Sequence, residues 1–105
     1  MNSAPSFQDI IYSIMGNIPS GRVVTYGVLA KMAGYPAHVR QVCRAIRNIP
    51  PGSTLPCHRV INSQGKLSVT GECYLRHKQA LIHEGIVFNA NDKIKLKDYL
   101  WEGLD

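Results

Sequence analysis

Apolar positions near the N-terminus fall into a helical rhythm. From Ser6 to about Gly16, Phe7, Ile10, Ile11 and Ile14 recur at i, i+3, i+4 and i+7, the spacing that collects side chains on one helix face. Ser6 and Asp9 stand like a capping box with Asp in place of Glu. Pro19-Ser20-Gly21 breaks the pattern, and Arg22-Val23-Val24 reads as a short extended approach. Thr25 is then the expected cap of a short second helix to about Lys31-Met32, with Val28, Leu29 and Met32 inward and Gly34 as its stop. After Tyr35-Pro36 a third helix runs to about Arg47. Its Val39, Val42, Cys43 and Ile46 are expected to face the core, leaving Arg40, Arg44 and Arg47 at i, i+4 and i+7 on a neighbouring face.

Two short helices around a glycine-containing turn, the second with an arginine face, match a helix-turn-helix over about 25–47. The plainer alternative is an ordinary helix with a solvated basic face. Asn48-Ile49-Pro50-Pro51-Gly52-Ser53 is a loop that Pro50-Pro51 keeps stiff. Beyond it, Val60-Ile61 and Lys66-Leu67 flank Asn62-Ser63-Gln64-Gly65 as a hairpin-like wing. A helix from about Glu72 or Tyr74 to Glu84 follows, with Leu75, Ala80, Leu81 and Ile82 as apolar candidates and Gly85 as its cap. Ile86-Val87-Phe88 and Ile94-Lys95-Leu96 are expected to pair as a small hairpin, with Tyr99, Leu100 and Trp101 packing the end, Trp101 as core. The predicted fold class is mainly α, a winged helix-turn-helix-like domain with small β-hairpins.

With 105 residues the chain suits one domain over 1–105, large enough for a single core. Twelve Lys+Arg against seven Asp+Glu give a formal charge of +5. A basic surface favours a polyanionic partner, although so modest an excess also serves solubility. Cys43, Cys57 and Cys73 are odd in number and form no C-x-x-C pair, which argues against a disulfide framework or a zinc knuckle and for a reducing cytoplasm. Met1-Asn2-Ser3-Ala4-Pro5 has no basic region ahead of an apolar run, and no stretch approaches the ~20 apolar residues that span a bilayer. A soluble, unexported protein without a membrane partner is expected.

The chemistry concentrates in Leu55-Pro56-Cys57-His58-Arg59-Val60-Ile61, an expected active-site loop over about 55–61. Cysteine reacts as the thiolate, and an adjacent histidine, directly or through a water, can take the proton. Pro56 fixes its own φ and disfavours a helical Leu55. Alone, a Cys-His pair is weak evidence, because free cysteine usually acts as a small core hydrophobe. Cys43, on the apolar face of the third helix, fits that description. His38, His77 and His83 read as surface or capping residues, and Cys73 has no evident role.

Pro56-Cys57-His58-Arg59-Val60 resembles the active-site motif of the O6-alkylguanine-DNA alkyltransferases. Other segments resemble that family in order and spacing: Val24-Thr25-Tyr26-Gly27-Val28-Leu29-Ala30 its first DNA-binding helix, Ala33-Gly34-Tyr35-Pro36 its turn, and Val39-Arg40-Gln41-Val42 its recognition helix. Asn48 resembles its hinge, and His83-Glu84-Gly85 the segment with its buried glutamate. The resemblance spans about Phe7 to Phe88. It implies a monomer that binds double-stranded DNA carrying O6-alkylguanine, in the cytoplasm and associated with the nucleoid through DNA. Arg40 would enter the duplex while Tyr26 presses the adjoining phosphate to rotate the nucleotide, and Arg44, Arg47 and Asn48 would complete the DNA contacts. Tyr26, Cys57, Val60, Ser68 and Thr70 would line the alkylguanine pocket. Glu84 would orient His58, and His58 would deprotonate Cys57 through a water, for one irreversible transfer without cofactor or metal.

Two departures complicate this. Full alkyltransferases carry an N-terminal domain, whereas only a few residues precede the first helix here. Ser68-Val69-Thr70-Gly71-Glu72-Cys73 also departs from the usual Gly-Tyr lid, with Thr70 where the tyrosine is expected. Both features resemble the alkyltransferase-like proteins, which bind alkylated DNA without repairing it and direct it to nucleotide excision repair proteins. Those relatives usually replace the nucleophile, and this chain keeps Cys57. The expectation is therefore an active transferase, with a non-enzymatic damage sensor as the alternative. A transcription regulator on the same helix-turn-helix would require spaced half-sites and usually a dimer, for which no dimerisation helix is visible.

Overall fold

Ser6 opens α1 (Phe7–Met15) as expected, its Oγ accepting the Asp9 N–H at 3.1 Å. The computed structural model describes residues 6–103, so both ends of the expected 1–105 domain lie outside the described residues. After the approach segment come β1 (Val24–Thr25) and α2 (Tyr26–Met32), and Thr25 caps α2 by accepting the Val28 N–H at 3.1 Å. Gly34, at φ 88°, turns the chain so that the Tyr35 N–H reaches the Ala30 carbonyl at 2.9 Å. Such a left-handed residue after a helix favours glycine.

The next helix, α3 (Val39–Arg47), turns a different edge inward from the one its periodicity suggests. Val42 and Ala45 are fully buried, Cys43 and Ile46 are half-buried, and Val39 is 39% exposed. The reason lies at Ala45. Its small side chain lets α1 approach closely enough for the Tyr12 hydroxyl to donate to the Ala45 carbonyl at 2.6 Å. An alanine adds little to an apolar pattern, yet here it sets the contact.

The expected wing is replaced by a parallel pair. A 3₁₀ turn over Cys57–Arg59 leads into β2 (Val60–Ile61), which pairs in parallel with β1, Val24 opposite Val60 and Thr25 opposite Ile61. Both residues of β2 are buried, as suits a strand covered on two faces rather than a half-solvated hairpin. Lys66-Leu67 forms no strand. Instead, Asn62 closes a tight loop: its N–H donates to the Lys66 carbonyl at 2.9 Å while its Oδ1 accepts the Gln64 and Lys66 N–H groups.

Further on, α4 (Gly71–His83) starts one residue before the expected range, and Gly85 follows it at φ 90°. Only Leu81 of its apolar candidates is fully buried; Leu75 is 60% and Ile82 46% exposed. The second expected hairpin reduces to one antiparallel bridge, Phe88 to Ile94, because Leu96 opens a short helix, α5 (Leu96–Tyr99). Leu100 then bridges in parallel to Val23, and the Trp101 N–H donates to the Val23 carbonyl at 2.8 Å. Trp101 is core, as expected. The result is a mainly helical, helix-turn-helix-like fold with one small parallel sheet.

That sheet separates two apolar clusters. Val24 and Val60 pack with Ile11, Met15, Leu29 and Trp101 around α1–α3, while Val23 and Ile61 pack with Leu67, Leu81, Ile86 and Ile94. Alternation along the strands sends neighbouring residues into different clusters.

The Asn62 loop offers a stability test. Gly65 is buried at φ 82°, its carbonyl accepts the Ile94 N–H at 2.8 Å, and a Cβ there would run into the Ile94 carbonyl oxygen. At Gly34, where φ is also positive, nothing lies within 4 Å of such a Cβ. Gly34→Ala is expected to cost about 1 kcal/mol from the left-handed backbone alone, and Gly65→Ala about 2–4 kcal/mol through the added overlap. Urea denaturation midpoints of the two variants check the difference.

Candidate active site

The reactive turn is built by its proline and by the strand it enters. Pro56 holds φ near −80°, the Cys57 N–H donates to the Leu55 carbonyl at 2.8 Å, and the Arg59 N–H to the Pro56 carbonyl at 3.0 Å. Since β2 begins at the next residue, the turn is anchored to the sheet. It presents Cys57, His58 and Arg59 as half-buried side chains.

Glu84, directly after α4, reaches back to this turn. Its Oε2 accepts from His58 Nε2 at 2.8 Å and from Arg59 Nη2 at 2.8 Å; its Oε1 accepts from the Gly21 N–H at 2.9 Å and from Arg59 Nε at 3.1 Å. Arg59 Nη1 continues to the Ile18 carbonyl at 2.9 Å. Burial alone would raise the Glu84 carboxyl, but hydrogen bonds from Arg59, Gly21 and His58 and the charge of Arg59 outweigh it and bring its pKa to about 2. Glu84 is therefore an anion at neutral pH. Its contact with His58 matches the resemblance; the Arg59 clamp and the Gly21 N–H are partners that sequence reasoning missed. The only signal for Arg59 was its place beside His58 in the motif.

Cys57 is held differently. Burial pushes its thiol above the usual range, with only a hydrogen bond from its own backbone acting the other way, so the resting side chain is a thiol. Among the described residues no hydrogen bond joins Cys57 to His58. With Nε2 engaged by Glu84, His58 has Nδ1 left to move a proton.

A cavity of about 530 Å³ opens at this turn. Cys57 and His58 line it with Arg47 at the end of α3, the 49–53 loop, and Cys73, Arg76 and His77 of α4. His77 is half-buried here rather than a surface residue. Burial, and then the neighbouring His58 and Arg76, lower its pKa and favour the neutral ring. The sequence offered no sign of this α4 wall, because which face of α4 turns inward depends on packing.

Of the expected pocket residues, Cys57 lines the cavity and the other four do not. Val60 lies in the first core cluster, Thr70 is exposed at the start of α4, and the Tyr26 hydroxyl is hydrogen-bonded to the Ser68 hydroxyl. Burial raises the Tyr26 phenol, against the Ser68 hydrogen bond, which lowers it. Arg40, Arg44 and Arg47 are exposed along α3, and among the described residues none of them is paired with a carboxylate. Asn48 closes α3 and donates from Nδ2 to Gln8 Oε1 at 3.2 Å. Among the described residues no group of three or more His, Cys, Asp or Glu side chains is placed to hold a metal ion, and no helix is long and apolar enough to cross a membrane.

Residues 6–86 match the family model described as 6-O-methylguanine DNA methyltransferase, DNA binding domain. The chain belongs to this family. Within it, the chain is 50% identical over 92 residues to a DNA base-flipping protein of Vibrio parahaemolyticus, covering 88% of this chain and 92% of that one. It is similar in structure to Schizosaccharomyces pombe Atl1 crystallised with damaged DNA containing O6-carboxymethylguanine, with a TM-score of 0.79, 35% identity, and coverage of 90% of this chain and 94% of that one. A methylated-DNA–protein-cysteine methyltransferase of Shigella flexneri is 35% identical over 79 residues, 75% of this chain but 46% of the methyltransferase. The family thus includes methyltransferases, and relatives matched over most of their own length include base-flipping and alkyltransferase-like proteins.

The Glu84 clamp makes stability depend on acid. A carboxyl lowered from 4.5 to about 2 stabilises the fold fully above pH 4.5 and loses that contribution as pH falls towards 2. In urea titrations at pH 5, 3.5 and 2, the wild type is expected to lose roughly 1–2 kcal/mol more than Glu84→Gln, a figure reduced for solvent screening near the surface. Parallel losses in both proteins would refute the assignment.

Proposed function

We propose that this chain binds duplex DNA carrying O6-alkylguanine, turns the damaged nucleotide out of the stack and transfers the alkyl group irreversibly to Cys57. The observation that carries this reading is the His58–Glu84 hydrogen bond of 2.8 Å beside a cavity that also holds Cys57. It supplies a base, its orienter and a nucleophile in one place. Exposed Arg40, Arg44 and Arg47 of α3, with Asn48 at its end, face the DNA. Arg40 takes the place of the extruded base, a role suited to a planar cation that stacks and donates hydrogen bonds. Tyr26 presses the adjoining phosphate, and a cavity of about 530 Å³ receives the base.

In the transfer step the sulfur of Cys57 attacks the alkyl carbon. The S–C bond forms as the C–O6 bond breaks, and the electron pair of that bond passes to the guanine. His58 takes the thiol proton through a water and releases it to solvent, and the departing guanine takes up one proton from solvent at N1. The products are guanine and an S-alkylcysteine, a thioether that does not hydrolyse, so each molecule reacts once.

A second reading has its own support. The raised Cys57 thiol and the partial neutralisation of Glu84 by Arg59 both slow activation of the nucleophile. This favours a sensor that flips and holds the lesion and directs it to nucleotide excision repair proteins.

Intact-protein mass spectrometry after incubation with an oligonucleotide duplex containing O6-methylguanine separates the two. A gain of one methyl group by the wild type and none by Cys57→Ala is the expected result. Selective binding without any gain would identify the sensor. Neither gain nor selectivity would refute both readings.

A further inference from the structure

The cavity beside Cys57 is cationic in a way that alkyl transfer does not require. Two guanidinium groups line it, Arg47 from the end of α3 and Arg76 from α4, and no Asp or Glu does. Among the described residues neither arginine is paired with a carboxylate; Arg76 Nη2 makes one weak hydrogen bond, to Cys73 Sγ at 3.3 Å. Arg47 continues the basic face of α3 and suits the DNA backbone. Arg76 stands on a different helix, α4, and lines the wall of the cavity across from the basic face of α3. At about 530 Å³, that space is in the range of pockets for ligands larger than a methylated purine.

We propose that Arg76 is a specificity residue that favours O6-alkylguanines whose substituent ends in an anion, such as a carboxymethyl group, over neutral substituents of equal size. This rests on the reading that the cavity takes the flipped base. A guanidinium offers two parallel N–H donors that match a carboxylate, a pairing unavailable to a methyl group or to an amide oxygen alone. His77 adds a polar neighbour that is neutral by preference, so Arg76 supplies the fixed charge on the α4 wall.

The test compares affinities across three duplexes. Duplexes of one sequence carry O6-carboxymethylguanine, its neutral isostere O6-carbamoylmethylguanine, or unmodified guanine. Each is titrated with the wild type and with Arg76→Gln, a change at an exposed side chain. The ratio of carboxymethyl to carbamoylmethyl affinity is expected to be about fivefold higher in the wild type, the scale of one exposed charge pair, and partly retained in Arg76→Lys. Equal ratios in wild type and Arg76→Gln would overturn the proposal. So would a uniform loss on all three duplexes with a salt slope smaller by about one, which would make Arg76 a phosphate contact. Failure to prefer either damaged duplex over unmodified DNA would instead remove the reading on which the proposal stands.

Discussion

The carboxylate of Glu84 is the constraint from which the site takes its shape. Three distant segments meet on it: the turn before β1 through the Gly21 N–H, the motif through His58 and Arg59, and the end of α4, which carries Glu84 itself. Its charge is only 12% exposed at the side chain, so an unpaired carboxylate there would be costly. Two nitrogens of Arg59, one of His58 and a backbone N–H satisfy it. Any movement of α4 relative to the sheet would break several of these bonds together, and the α4 wall of the cavity therefore keeps a fixed relation to Cys57.

The position of the site follows from the two-cluster core. The short parallel pair sends Val24 and Val60 into one cluster and Val23 and Ile61 into the other. The reactive turn immediately precedes β2, so it emerges where the clusters meet, close to α3 on one side and α4 on the other. Cys57 is half-buried there, packed against the edge of the first cluster. The apolar face of α3, Val42, Ala45 and Ile46, packs into the first cluster and leaves its arginines exposed on the other side. The 48–53 loop, with its two prolines, joins the end of α3 to the segment that carries the reactive turn.

Local signals gave α1 to α4 and missed both the short α5 and the sheet. The i, i+3, i+4, i+7 repeat and the Ser6 cap defined α1, and Thr25 and Gly34 defined α2, because caps and periodicity act over a few residues. Val60-Ile61 had no such local determinant. A two-residue strand has no period, and its true partner lies at Val24–Thr25, far away in sequence, so the nearest apolar pair at Lys66-Leu67 was the natural but incorrect choice. On α3 the weight of Ala45 was invisible because a methyl side chain scarcely alters an apolar pattern. At the site, the ordered motifs singled out Cys57, His58 and Glu84, whereas the Arg59 clamp and the wall from Arg76 and His77 depend on which way α4 rolls. Composition and spacing do not encode that roll.

Sharing Glu84 between Arg59 and His58 bears on what the site does best. In a triad the carboxylate both orients the imidazole and stabilises it once protonated. Here Arg59 compensates the charge of Glu84 before any proton moves, so its help to an imidazolium at His58 is more directional than electrostatic. Burial meanwhile keeps Cys57 as a thiol, and a base filling the cavity would expel more water from around it. Deprotonation is then easiest in the same step as attack on the alkyl carbon, when negative charge passes on to the guanine instead of resting on sulfur. On the proposed reading, such a site would hold the flipped base firmly and react with it only at an alkyl carbon open to attack.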